Sequence, residues 1–327
     1  MKLNAGHSIA NGLRGVCIGI ANTIPGVSGG TIAVVVGVYD ELIFAVSNVL
    51  TDRGRRRHHL LVLLPVVVGV LAGILGFARV IDYFMTTRPD ETVFFFIGLI
   101  LGGVPFLLRK TTAPSAAAGE AAAEDARGTA GDSSTDTRVD VPRPRRRRFS
   151  PWYLVPFGIS FVLLLFMAFA ERPAPTAPIT ELTLLSAVAV FATGVISAAT
   201  MVIPGVSGSF VLLLIGMYST FIAAARDANA AVLGVFLIGA VSGIALVSRL
   251  IAYLLRRFHG YAYSAILGLV LGSVFMLWPE ITGDTSLIGA ALAVPAGAAA
   301  ALLLGSGRKE RLLAAQSTDN RVERGQG

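Results

Sequence analysis

The sequence predicts an all-α integral membrane protein built as an inverted structural repeat, with five apolar segments per half and a re-entrant helical hairpin opening each half. Three observations lead there. Of the 327 residues, 54% are hydrophobic and only 14% charged, whereas an ordinary soluble domain carries about 25% charged residues. The string "IPGVSGG" at 24–30 returns as "IPGVSGS" at 203–209. Basic clusters also fall on alternating loops between apolar runs, the pattern of loops left on the cytoplasmic side of a membrane.

The repeat extends beyond its signature. Gly37 and Tyr39 match Gly216 and Tyr218 at the same offset, and Gly69, Gly73, Arg79, Ile81 and Tyr83 match Gly239, Gly243, Arg249, Ile251 and Tyr253. "IGLILGG" (97–103) resembles "LGLVLGS" (267–273), and "VPFG" (155–158) resembles "VPAG" (294–297). The apolar segments are then 8–22, 31–50, 60–84, 92–109 and 151–171 in the first half, and 182–202, 208–225, 230–256, 262–278 and 285–305 in the second. Five is odd, so the second half begins on the face opposite the first, as in many transporters.

The organisation along the chain follows. Residues 1–110 hold segments one to four of the first repeat, and 150–172 its fifth. Residues 180–306 hold the second repeat, and 307–327 form a cytoplasmic tail. Residues 111–149, rich in Ala, Gly, Ser and acidic residues before the arginine run at 143–148, lack the apolar content to fold alone and read as a disordered cytoplasmic linker. The basic loops at 53–59, 143–148, 256–260 and 308–311 share one side, which puts both termini in the cytoplasm of a multi-pass plasma-membrane protein. The same reading assigns the net charge of +7 to topology rather than to a nucleic-acid partner. The first apolar run contains Arg14 and belongs to the repeat, so it reads as retained rather than cleaved. A single cysteine, Cys17, forms no internal disulfide, no Cys/His spacing suggests a metal, and no cofactor is implied. The four histidines, His7, His58, His59 and His259, lie near expected interfaces and read as solvated.

Pro and Gly inside the most apolar sequence need a reason. Segment 8–22 is short for a crossing, and a straight span over 31–50 would bury Asp40 and Glu41 near the bilayer centre. A hairpin turning at Pro25–Gly30 removes both problems. Irregular backbone at membrane depth survives only where protein covers it or where it lines a cavity, so the two turns should meet inside the molecule. Their glycines expose N–H groups, Ser28, Thr31, Ser207 and Ser209 add hydroxyls, and each turn opens a helix, a setting that suits an anion. Candidate anion-binding positions are therefore Asn22, Ser28, Gly29, Gly30 and Thr31 with Ser207, Gly208 and Ser209. The alternative is that the glycines merely let helices pack closely. Arg14, Arg79 and Arg249 are either further anion ligands or interface residues that snorkel. Asp40, Glu41 and Asp82 are candidate carriers of a coupling ion, proton or sodium.

"NTIPGVSGGTIAVVVGVYDELI" and its echo "TMVIPGVSGSFVLLLIGMYSTFI" resemble the PopT family of polyprenyl-phosphate transporters. The resemblance implies that the chain moves undecaprenyl phosphate, or a close polyprenyl phosphate, between leaflets so that the lipid carrier of cell-envelope synthesis is reused, and that it is not an enzyme. A tail that stays in lipid leaves only the phosphate in need of a protected route, with the headgroup held by the two turns near the midplane. Relatives often carry Glu and then a basic residue after the motif tyrosine; here Asp40 and Glu41 follow Tyr39. Two alternatives use the same architecture. A membrane phosphatase acting on polyprenyl diphosphate would need a nucleophile beside a base, and the turns offer serines without an adjacent His, Asp or Glu. A secondary transporter of a small soluble anion would need only the anion site.

Overall fold

The computed structural model describes residues 5–24, 26–112, 150–171, 177–278 and 288–305. Pro25, the linker beyond Thr112 and the expected tail at 307–327 lie outside the described residues. In chain order the helices are α1 (Ala5–Asn22), α2 (Gly29–Val35), α3 (Tyr39–Asn48), α4 (Arg56–Thr87) and α5 (Pro89–Thr111). After a 3₁₀ turn at Pro151–Tyr153 come α6 (Leu154–Phe169), α7 (Leu184–Val202), α8 (Gly208–Leu214), α9 (Tyr218–Arg226), α10 (Ala230–Arg257), α11 (His259–Met276) and α12 (Ile288–Gly305). No strand occurs among the described residues. Among the described residues seven helices are long and apolar enough to cross a membrane, and up to nine spans result if α2–α3 and α8–α9 each count as one. Large apolar side chains such as Leu75, Phe166, Leu184 and Leu303 point outward from the long helices, as lipid-facing residues must where no water is present to drive them inward.

The second segment of each half, expected as one helix, is two. α2 meets α3 at 119° and α8 meets α9 at 114°. The cause is local. Gly37 has φ +74° and Gly216 φ +71°, a left-handed conformation that glycine adopts at little cost. The amides of Gly37 and Val38 then donate to the carbonyls of Val34 and Ala33, and those of Gly216 and Met217 to Leu213 and Leu212. Both helices thus end in the same Schellman cap. The signature turns echo each other as closely: Gly26 and Gly205 have φ +80° and +89°, and Ser28 and Ser207 have φ, ψ of −91°, 124° and −95°, 125°.

Helix pairs pack backbone to backbone. A Cβ on Gly15 would lie 2.3 Å from the Val66 carbonyl oxygen, one on Gly19 2.2 Å from that of Val70, and one on Gly69 2.1 Å from that of Gly12. These contacts advance together along both helices, so α1 and α4 run parallel. α7 and α10 pair the same way, with Gly239 against Phe191 and Gly243 against Val195. A parallel pair requires the chain between its members to come back to the starting end. It does so in both halves: Glu41, opening α3, lies 2.8 Å from His7 near the start of α1, and Thr220 on α9 accepts the amide of Ile179, just before α7, at 3.1 Å.

The fifth segments cross over. α6 packs along α11 of the other half, with Gly268 against the Phe157 carbonyl and Gly272 against Leu164. α12 packs along α5, with Gly98 against Val294 and Gly297 against Phe95. The weak match between "VPFG" and "VPAG" therefore falls on the contacting stretch of each fifth helix, with the contacts shifted by two residues: Gly98 meets Val294 but Gly268 meets Phe157, and Gly158 meets nothing within 4 Å. At the centre lies α2, whose Ile32, Val34 and Val35 are buried together with Val36 and Val38. The long helices position it, since it contacts α1, α5 and α7.

Candidate functional site

The signature turns meet. The Gly205 amide donates to the Thr31 hydroxyl at 2.7 Å, within the protein. Gly30 faces the carbonyls of Met201 and Ile203 and the Cα of Pro204, where a Cβ would sit 3.3 to 3.4 Å from them. The Tyr39 hydroxyl adds a second tie, donating to the Val202 carbonyl at 3.1 Å. Thr31 is fully buried and Tyr39 nearly so. Their counterparts differ. Phe210 stands where Thr31 would be and joins an apolar cluster with Leu164 and Leu269, and Tyr218 is exposed.

Glycine is required twice beside the serines. Gly29 lies against the Asn22 side-chain amide, where a Cβ would come 2.5 Å from Oδ1, and Gly208 lies against Met201 and the Ser197 carbonyl. The hydroxyls then divide. Ser28 is 4% exposed, and its Oγ has no hydrogen-bond partner among the described residues, although a buried hydroxyl without a partner carries a desolvation cost. Ser207 and Ser209 bond to each other at 2.9 Å on the more open side of the second turn. Asn22 is also exposed. The helices that follow, α2 and α8, have seven residues each, so the helix dipole offered at each turn is short. Hydroxyls and the first unpaired amides are the main donors there.

The charged candidates lie elsewhere. Arg14 donates to Asn11 Oδ1 at 2.9 Å, and Asn11, fully buried, links to His7 and Glu41. Arg14 and Glu41 thus belong to one polar network between α1 and α3. Asp40 pairs with Lys110 Nζ at 2.7 Å and accepts the Tyr263 hydroxyl. Arg79 and Asp82 on α4 and Arg249 on α10 are exposed, and none of their side chains hydrogen-bonds to a turn residue among the described residues.

Lys110, Tyr263, Asn11 and His7 emerge only in three dimensions. Lys110 closes an apolar helix, seventy residues from Asp40, and nothing in the local sequence pairs them. Tyr39 is the exception, since its repeat at Tyr218 singles it out. The histidines also depart from expectation. His59 is buried with its Nε2 3.8 Å from Asp52, His7 bonds Glu41, and His259 packs against the Tyr263 ring at 4.7 Å. Folding α3 back onto the basic end of the molecule brings it against His7 and His59, an arrangement that reading loops singly does not anticipate.

Comparison with known proteins places these features in a family. The family model described as undecaprenyl phosphate translocase-like matches residues 18–291. The chain is 28% identical over 278 residues to the polyprenyl-phosphate transporter of Vibrio cholerae serotype O1, covering 82% of this chain and 76% of that one. It is 26% identical over 280 residues to the polyprenyl-phosphate transporter of Staphylococcus aureus, covering 83% and 86%. No solved structure matches it. The match spans both signature turns and nearly every helix between them, and the chain belongs to the undecaprenyl phosphate translocase-like family.

Proposed function

We propose that the protein is a flippase for undecaprenyl phosphate or a close polyprenyl phosphate, holding the headgroup between its two signature turns while the tail stays in lipid. The relatives' names supply the substrate class. The observation that carries the site is the Thr31–Gly205 hydrogen bond beside the buried Ser28 hydroxyl, which has no partner among the described residues. A phosphate oxygen reaching Ser28 would satisfy a donor that is otherwise unmatched, and would meet Ser207 and Ser209 across the junction.

On this reading the halves are an inverted repeat and α1–α3 and α7–α9 are re-entrant hairpins. Parallel packing of α1 on α4 and of α7 on α10 supports it, as do the returns at His7–Glu41 and Ile179–Thr220. The basic starts and ends of α4 and α10 face the cytoplasm, both termini lie there, and the membrane is the plasma membrane, where the carrier lipid of cell-envelope synthesis is recycled. No bond is broken in the process. Asp40, Glu41 and Asp82 are the residues through which a proton or sodium gradient would act, the first two by exchanging their present partners. Arg14, Arg79 and Arg249 guide the phosphate toward the turns rather than hold it there.

The test is movement of labelled undecaprenyl phosphate between leaflets of proteoliposomes. Ser28→Leu with Ser207→Leu should abolish it. Ser28→Ala with Ser207→Ala, which adds no volume, should slow it about a hundredfold or more, the order set by losing two hydrogen bonds to a charged group at about 1.5–3 kcal/mol each. Full transport by the alanine pair would remove the turns from the mechanism. Uptake of inorganic phosphate in place of the lipid would favour a small-anion transporter, and phosphate release from a polyprenyl diphosphate would favour an enzyme.

A further inference from the structure

α3 touches more of the molecule than its ten residues suggest. Glu41 reaches His7 and Asn11 on α1. Asp40 binds Lys110 on α5 and Tyr263 on α11. Phe44 meets the His59 ring of α4 edge-on at 5.7 Å and carries the Arg256 guanidinium of α10 on its face at 4.7 Å. Tyr39 ties the start of the helix to the end of α7. α3 thus bridges both halves at the end of the molecule where α4 begins and α10 ends.

Its counterpart does not. α9 packs on α8 and α10 within its own half and has no comparable packing against α4. Sequence accounts for part of this. At the repeat offsets, Ser219 replaces Asp40 and Val93 replaces Tyr263, so neither the carboxylate nor the phenol is available at the opposite end. Access to the turns is lopsided in the same sense: Ser28, on the hairpin that includes α3, is buried, while its counterpart Ser207 is half-buried.

We infer that α3 is a gate closing one mouth of the route between the turns, latched by the Asp40 carboxylate on Lys110 and Tyr263. The latch holds that mouth shut while the other stays open, and releasing α3 exposes Ser28 to the first. This assignment rests on the proposed passage of a headgroup between the turns, but its test does not require that substrate. α5, which carries Lys110, is anchored apart from the latch, packing along α11 and α12. Releasing the latch therefore moves α3 rather than α5.

The experiment measures the distance between spin labels on Leu50→Cys, just past α3, and Leu108→Cys on α5. Both positions are exposed, and Cys17→Ala removes the background thiol. The parent should show mainly a short distance. Asp40→Asn should raise the ratio of long to short distances roughly tenfold, the order of one lost charge-assisted hydrogen bond. Lys110→Met makes the same demand from the other partner and serves if Asp40→Asn does not fold. The reversed pair, Asp40→Lys with Lys110→Asp, should bring back the short population. Single variants whose distances superimpose on the parent's would overturn the latch. So would a shift that the reversed pair fails to reverse, because that would mark a packing effect rather than an ion pair. A protein that proves not to move polyprenyl phosphate would still show the shift, so failure of the substrate and failure of the gate are told apart.

Discussion

Thr31→Val isolates the link between the signature turns. Valine keeps the shape of threonine and loses only the hydroxyl, so the fully buried pocket at position 31 stays filled. The loss falls on the partner: the Gly205 amide, now 2.7 Å from Oγ1, would face a methyl group with no water to replace the acceptor. An orphaned buried donor costs about 1–3 kcal/mol, and a protein interior has little room to relax around it. The expected outcome is a lower unfolding midpoint for detergent-purified Thr31→Val, read by intrinsic fluorescence on heating, together with slower lipid movement in vesicles. Thr31→Ser keeps the acceptor and gives up one methyl, about 0.8 kcal/mol by burial, so it should recover most of the midpoint and of the transport. A Thr31→Val protein with the parent's midpoint and rate would show that the two turns are not coupled through this bond. A Thr31→Ser protein as impaired as Thr31→Val would show that packing, not hydrogen bonding, joins them.

The repeated glycines are not interchangeable. Gly205→Ala should be the more damaging of the signature pair, because its Cβ would lie 2.5 Å from the Leu269 carbonyl oxygen whereas that of Gly26 would meet the movable end of the Leu277 side chain at 3.0 Å and the Met276 carbonyl oxygen only at an ordinary 3.5 Å. Both also pay about 1–2 kcal/mol for a left-handed residue, and the two unfolding midpoints, measured side by side, check the order. Gly69→Ala should force α1 and α4 apart and lower folded yield, while Gly76→Ala on the same helix meets nothing within 4 Å and should match the parent in size-exclusion profile. Tyr39→Phe removes one hydrogen bond to the Val202 carbonyl and should lower the unfolding midpoint by the equivalent of about 1 kcal/mol, an effect that Tyr218→Phe should not share. A cysteine placed at exposed Arg55 should react with a membrane-impermeant thiol reagent only from the cytoplasmic side of oriented vesicles; labelling from outside would reverse the proposed topology.

Much of the helical pattern was legible in the sequence, because the repeat locates each apolar segment twice. What periodicity left out is tertiary. The breaks at Gly37 and Gly216 look like ordinary small residues in a membrane helix until their backbone turns left-handed. The union of Gly205 with Thr31 was foreseeable as a meeting of turns, since buried irregular backbone needs a partner, but not as this bond, because Phe210 stands at the matching place. Asp40 and Glu41 were visible as costly charges. Their neutralisation by Lys110, Tyr263 and His7 was not, since the partners lie on other helices at no fixed spacing. Arg79 and Arg249 stood out through symmetry alone, and both are exposed, with no side-chain hydrogen bond to a turn residue among the described residues.

The exchange of fifth helices has the form of a loan between two chains. If the halves oppose each other as proposed, each would once have been a separate chain lending its last helix to an oppositely inserted copy, the arrangement known in soluble proteins as domain swapping. Joining the two genes would then preserve the loan rather than undo it. A chain cut between α5 and α6 would leave α6 on the same fragment as the α11 it packs against, and the two pieces should reassemble when made together. A cut between α6 and α7 would place partners on different polypeptides in both exchanges, so that reassembly would have to rebuild the ancestral heterodimer.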